Sequence, residues 1–217
     1  MGTSDLMDRG KFITVEGIEG VGKSTNIEFL SALIEDSGSE VVRTREPGGT
    51  PMAERIRALL LEHGEEPMTD IAELLLFFAS RSLHIHNTIK PALQAGKWIV
   101  CDRFTDASRA YQGDGRGLNQ DTINTLADWV QEDLQPDLTI LLDAPAEVGM
   151  ERAGRRGAAD RLEIEKTDFY ARVRDGYLSL AEAEPHRFAV IDASRPLADV
   201  QADISETINS LLNDNLH

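Results

Sequence analysis

Cysteine is almost missing from this chain, and the single thiol, Cys101, excludes an internal disulfide and any thiolate cluster for a metal. A reducing cytoplasm suits such a composition. Lysine is scarce as well: of 22 basic residues 5 are Lys and 17 are Arg, and arginine is the better fork for phosphate and carboxylate. Acidic residues number 38, giving a net charge of −16, which argues against a broad nucleic-acid-binding face. No apolar run approaches the roughly 18 residues that cross a bilayer, so no membrane partner is expected. The opening MGTSDLMDRG lacks a signal core, and Leu6 stands where a myristoylation signal needs Ser or Thr. Residues 1–10 are read as a flexible leader. The five histidines (His63, His84, His86, His186 and His217) form no catalytic or zinc-ligand pattern and are read as structural.

Against these absences one stretch stands out, FITVEGIEGVGKST over Phe12–Thr25. A β-branched and aromatic run is followed by Gly17-x-x-x-x-Gly22-Lys23-Ser24, then by apolar residues at helical spacing from Ile27 and Leu30. Glycines let backbone N–H groups turn inward around an anion where a Cβ would block the approach. The helix that follows adds its free N–H groups and its positive dipole end. The stretch is therefore assigned to a nucleoside triphosphate. Gly17, Ile18, Glu19, Gly20, Val21, Gly22, Lys23, Ser24 and Thr25 form the loop, Lys23 reaches the outer phosphates, and the Ser24 hydroxyl is placed for Mg²⁺.

The remaining chain alternates short apolar strands with amphipathic helices. Strands are expected at Val41–Arg45, Trp98–Cys101, Leu138–Leu142 and Phe188–Ile191. Helices are expected at Lys23–Ser37, Ala53–His63, from a Thr69 cap to about Leu93 with a bend near Pro91, and at Asp121–Gln135, Ala146–Arg156, Asp168–Glu184 and Leu197–Leu212. Gly113–Gly117 reads as a Gly-rich loop. This pattern predicts an α/β fold, a P-loop NTPase three-layer sandwich whose five-stranded parallel sheet is flanked by helices, in one domain over residues 11–213. Ligands then sit beyond the carboxyl ends of the strands.

At those ends lie further candidates. Asp102 can hold Mg²⁺ and Arg103 can grip a second phosphate bidentately, or the two can form a strand-end ion pair. Asp143 occupies a similar place, where a helix cap explains it. Arg152, Arg155, Arg156 and Arg161 crowd ten residues around a Gly-Ala-Ala-Asp break. They suit either an arginine-bearing lid around residues 150–165 or a solvated helix face paired with Glu147, Glu151, Glu163 and Glu165. Phe77 and Arg81 share a helical face and can hold a planar base, or Phe77 and Phe78 can both pack in the core. Tyr111 and Gln112 can hydrogen-bond a base or anchor a loop. Two phosphate grips on one edge suit phosphoryl transfer between nucleotides, where positioning and charge neutralisation suffice.

The segments EGIEGVGKST, TREPGGT, Asp102-Arg103-Phe104, Ala110-Tyr111-Gln112-Gly113 and Asp160-Arg161 occur in an order that resembles the thymidylate kinases, from about Lys11 to Asn209. The resemblance implies transfer of the γ-phosphoryl of ATP to thymidine 5′-monophosphate with Mg²⁺, and a homodimer packed through helices. It places Glu19 near the acceptor's sugar, Phe77 on the thymine face, Arg81 at the base edge and Arg103 on the acceptor phosphate. Ser108 and Gln112 border the base, and Glu46, Pro47 and Tyr111 complete that pocket. With Glu19 and no arginine inside the phosphate loop, the chain is similar to the bacterial type whose lid supplies the catalytic arginines, here Arg152, Arg155, Arg156 and Arg161 beside Lys23 and Arg103. It departs from the family pattern at Arg109, Asp114 and Ile164.

Overall fold

A computed structural model describes residues 9–62, 66–154 and 166–213. Five strands make one parallel sheet: β1 (Phe12–Glu16), β2 (Val41–Arg45), β3 (Trp98–Asp102), β4 (Leu138–Asp143) and β5 (Phe188–Asp192), ordered β2-β3-β1-β4-β5. Register runs Ile13 to Val100 on one side of β1 and Thr14 to Thr139 on the other. The order reverses at β1, so the crevice at the sheet's carboxyl edge opens where the phosphate loop leaves.

Alternation along the strands builds two cores. Val100 and Trp98 of β3 join Ile13 and Val15 in a cluster with Leu30 and Ile34 of α1 (Lys23–Asp36), Tyr170, Val173 and Tyr177 of α8 (Thr167–Ala183), and Ile204 and Ile208 of α9 (Leu197–Asn213). Ile99 and Cys101 point the other way, onto Phe12, Phe104, Ile85, Ile89 and Leu93. Period-two alternation on a sheet covered on both faces thus gives the three layers. A third cluster joins Leu74 and Phe78 of α3 (Asp70–His84) to Ile123 and Ala127 of α6 (Gln120–Gln131).

Local chemistry sets the helix ends. Thr50 and Thr69 side chains accept from Ala53 and Ala72 N–H and cap α2 (Pro51–Leu61) and α3. With Pro51 in the first turn, α2 starts two residues before the predicted Ala53. The predicted helix over Asp121–Gln135 stops at Gln131, because Glu132 takes φ 55.

Two stretches differ in kind from the sequence reading. The long helix from Thr69 is interrupted before its proline: Ile85–Ile89 winds as a π-helical turn, and α4 (Lys90–Gln94) carries Pro91 in its first turn. A proline removes one N–H and crowds the preceding turn, and the wider turn absorbs that strain. The first three residues of the expected Gly-rich loop, Gly113–Gly115, are also helical, and Arg116 and Gly117 turn out of it. After α5 (Thr105–Ser108), residues Arg109–Gly115 continue as a π-helix, closed by Arg116 N–H on the Tyr111 carbonyl at 2.9 Å. Gly115 is there for close packing, since a Cβ would lie 2.7 Å from the Phe169 ring.

Candidate active site

The phosphate loop is shaped by left-handed glycines, Gly17, Gly20 and Gly22, and α1 begins at Lys23. Its outer wall is α7 (Ala146–Gly154), which approaches backbone to backbone: a Cβ on Gly20 would sit 1.9 Å from the Gly149 carbonyl. The Lys23 ammonium donates to the Gly17 and Ile18 carbonyls at 3.1 and 2.9 Å. Burial, reinforced by the Arg103 guanidinium, brings its pKa down to about 8. A bound polyphosphate would raise it again.

At the end of β3, Arg103 holds φ 68, a left-handed conformation that costs a non-glycine residue energy. Its surroundings impose it. Arg103 N–H donates to the Val15 carbonyl, the Cys101 thiol donates to the Arg103 carbonyl, and the next N–H, on Phe104, donates to the buried Glu16 carboxylate at 2.7 Å. The guanidinium that results touches the phosphate loop at the Gly17 carbonyl (3.0 Å) and Glu19 Oε1 (2.7 Å), and Tyr111 hydroxyl donates to Glu19 Oε2 at 2.7 Å. Tyr177 hydroxyl donates to Glu16 Oε2 at 2.6 Å. Burial, then the Asp106 carboxylate, push Glu16 up to about 8.

Away from the loop, Arg81 is buried to 1 % exposure and donates Nε to Glu46 Oε2 at 2.6 Å and Nη2 to the Phe104 carbonyl and Ser108 hydroxyl at 3.1 Å. Its Nη1 has no hydrogen-bond partner among the described residues. His84 lies against the other oxygen of Glu46, 3.0 Å from Nδ1, with Thr44 at its far nitrogen. A buried ion pair of this kind fixes geometry more than it adds stability.

These groups surround one cavity of about 290 Å³. Its wall includes Glu19, Gly20, Gly22, Lys23 and Ser24 on the loop side, Asp102 and Arg103 between, and Glu46, Pro47, Phe77, Arg81, Ser108, Tyr111 and Gln112 on the far side. Of the two phenylalanines, Phe78 is in the core and Phe77 faces the cavity. Asp102 Oδ1 is buried without a hydrogen-bond partner among the described residues. With Ser24 in the same wall, that orphan acceptor fits a hard cation such as Mg²⁺, which takes one or two protein oxygens and completes its shell with water and phosphate.

Other expected residues lie elsewhere. Ile18 and Val21 are buried under the loop, and Gly17 and Thr25 are not in the cavity wall. Asp143 is engaged bidentately by Arg174 at 2.7 and 2.8 Å. Arg152 is not in the cavity wall either: it donates to the Ala193 and Ser194 carbonyls at 2.7 and 3.3 Å, tying α7 to the exit of β5. Arg155, Arg156 and Arg161 lie outside the described residues. The wall also holds residues the sequence did not single out, among them Arg57, Glu73, Arg116 and Phe169. Glu73 carried a weak signal, the one acid inside the apolar block from Ile71 to Phe78.

A phosphate loop and a strand-end arginine facing one cavity on a parallel sheet are the parts of a P-loop phosphotransferase. The family model for thymidylate kinase matches residues 15–204. The thymidylate kinase of Methylococcus capsulatus is 55% identical over 206 residues, covering 95% of this chain and 98% of that protein. The thymidylate kinase of Chromohalobacter salexigens is 55% identical over 208 residues, covering 95% and 98%. Among solved structures, thymidylate kinase from Ehrlichia chaffeensis superposes with a TM-score of 0.74 at 36% identity, covering 92% of this chain and 99% of that one. The chain belongs to the thymidylate kinase family, whose members phosphorylate thymidine 5′-monophosphate using ATP.

Proposed function

We propose that this chain carries out that transfer with the following division of labour. The Gly17–Gly22 loop and the α1 N-terminus cradle the ATP phosphates, and Lys23 follows the γ-phosphoryl into the transition state. Ser24 and Asp102 would hold Mg²⁺, which would supply positive charge to offset that of the phosphates. Arg103 takes the acceptor phosphate, Glu19 and Tyr111 border its sugar, and Phe77 stacks on the base. Arg81 offers Nη1 to the base edge, with Ser108, Gln112, Glu46 and Pro47 closing the pocket. On the sequence alone, Arg155, Arg156 and Arg161 supply further charge to the transferring group, while Arg152 anchors the helix that leads to them. The observation that carries this reading is a single cavity whose wall includes Lys23, Asp102 and Arg81, the last two each with a buried polar atom that has no hydrogen-bond partner among the described residues.

The chain is further proposed to act in the cytoplasm as a homodimer. Met52 and Leu59 on α2 and Ile71 and Leu75 on α3 are each about half exposed, and the two helices pack together. No helix among the described residues is long and apolar enough to cross a membrane. Steady-state kinetics with ATP, Mg²⁺ and a panel of nucleoside monophosphates test the assignment. Thymidine monophosphate should give the highest kcat/KM, and Asp102→Asn should raise the Mg²⁺ requirement. A different best acceptor, or an unaltered Mg²⁺ dependence, would contradict it.

A further inference from the structure

Glu73 is a carboxylate on α3 with 1 % exposure, and nothing in phosphoryl transfer calls for it. Arg116 grips it with a fork, Nε to Oε1 at 2.9 Å and Nη2 to Oε2 at 3.3 Å. A carboxylate held this way stays ionised and can only accept hydrogen bonds. Among the described residues Gln112 Nε2 also donates to it, at 3.0 Å from Oε1. Gln112 is itself buried and forms part of the cavity wall.

We propose that Glu73 sets the base specificity of the acceptor pocket by fixing which end of the Gln112 amide a ligand meets. The proposal rests on the assignment of Phe77, Arg81 and Gln112 to the base pocket. An untethered amide offers a donor or an acceptor by a half-turn. Here the half-turn would set Oε1 against an ionised oxygen, so Nε2 stays on Glu73. Oε1, which makes no hydrogen bond among the described residues, is what remains for the ligand. Across the same cavity Arg81 is equally fixed, because Nε and Nη2 are tied down and Nη1 is the donor left over.

The pocket therefore presents one locked donor and one locked acceptor. A 4-oxo pyrimidine carrying N3–H offers a carbonyl oxygen and an N–H and satisfies both. A 4-amino pyrimidine offers an amino group and a bare ring nitrogen and fails both, leaving buried polar groups unpaired. Glu73 is a positioning residue for this discrimination and acts through Gln112.

The test measures kcat/KM for thymidine and deoxycytidine monophosphates in wild type, Glu73→Gln, Gln112→Ala and the double variant. Gln112→Ala should lower the thymidylate-to-deoxycytidylate preference by about 10-fold or more. Glu73→Gln should lower it by about 10-fold, largely by raising deoxycytidylate turnover, with the KM for ATP unmoved. In the Gln112→Ala background Glu73→Gln should change the preference no further. Equal losses on both acceptors, or an undiminished effect without Gln112, would overturn the proposal as mere structural damage. A preference untouched by Gln112→Ala would overturn the base-pocket assignment, and the proposal with it. Should Glu73→Gln not fold, 3-deazathymidine monophosphate on the wild-type enzyme serves instead. Replacing N3–H by C–H should cost about 10-fold in kcat/KM, and parity with thymidylate would overturn the proposal.

Discussion

The loop side and the base side of the cavity are built on opposite plans. The loop side is mostly backbone: three left-handed glycines and a helix start shape it, and Lys23 rests on the loop's own carbonyls. The base side is made of side chains from α3, the β2 and β3 exits and the 105–115 helix, locked in place before any ligand arrives. Arg81 on Glu46 at 2.6 Å is its fixed point, and Arg103 on Glu19 at 2.7 Å ties the two sides together. Backbone amides bind phosphate whatever nucleoside carries it, whereas oriented side chains select the nucleoside. Generic affinity and specificity are thus assigned to different kinds of atoms.

Substitutions on the two sides should separate accordingly. Lys23→Ala should lower kcat by on the order of 10²-fold or more with little change in acceptor KM, because the charge aimed at the transferring group is lost. Near-normal turnover would remove Lys23 from the chemistry. Arg103→Lys keeps the charge but loses the fork that spans Gly17, Glu19 and the acceptor phosphate, and should raise acceptor KM by about 10- to 100-fold. Wild-type acceptor affinity would show that a point charge is enough there. Phe77→Ala should raise acceptor KM by about 10-fold and leave ATP nearly untouched, since base–aromatic stacking is worth about 1–3 kcal/mol. An equal effect on both nucleotides would return Phe77 to the core.

A smaller effect probes the joint between the sides. Glu16 is held near 8 in the folded chain against 4.5 as its ordinary value. It therefore keeps a proton that the unfolded chain has released. The stability this contributes is complete below about pH 4.5 and is lost as pH rises toward 8. Glu16→Gln cannot titrate and should flatten that fall, by at most about 1.4 kcal/mol per pH unit. Denaturation midpoints measured from pH 5 to 8 check this, and an unchanged slope would mean that Glu16 is ionised throughout.

The same contrast explains what could be read from the chain. The loop is contiguous, so Gly17–Ser24 announced itself, and the five strands followed from apolar runs such as Trp98–Cys101. Asp102 and Arg103 were legible because a strand end places its next residues at the crevice by rule. Residues whose role exists only through a distant partner were not. His84 lies under Glu46 and Arg116 reaches Glu73 across 43 positions, and neither sequence neighbourhood hints at the other. Gly113 and Gly115 misled for a physical reason: glycine marks both a turn and a close approach, and here Phe169 against Gly115 made it the latter. Arg152 looked like its neighbours in the arginine cluster, yet two carbonyls at the β5 exit hold it.

The most direct test is the affinity of a bisubstrate ligand, adenosine joined to thymidine through a polyphosphate chain, measured by calorimetry in the presence of Mg²⁺. Two sites facing one cavity predict a Kd at least about 10²-fold below that of the tighter single nucleotide, because the second half binds at high effective concentration. A Kd no lower than that of the tighter half would contradict the shared cavity.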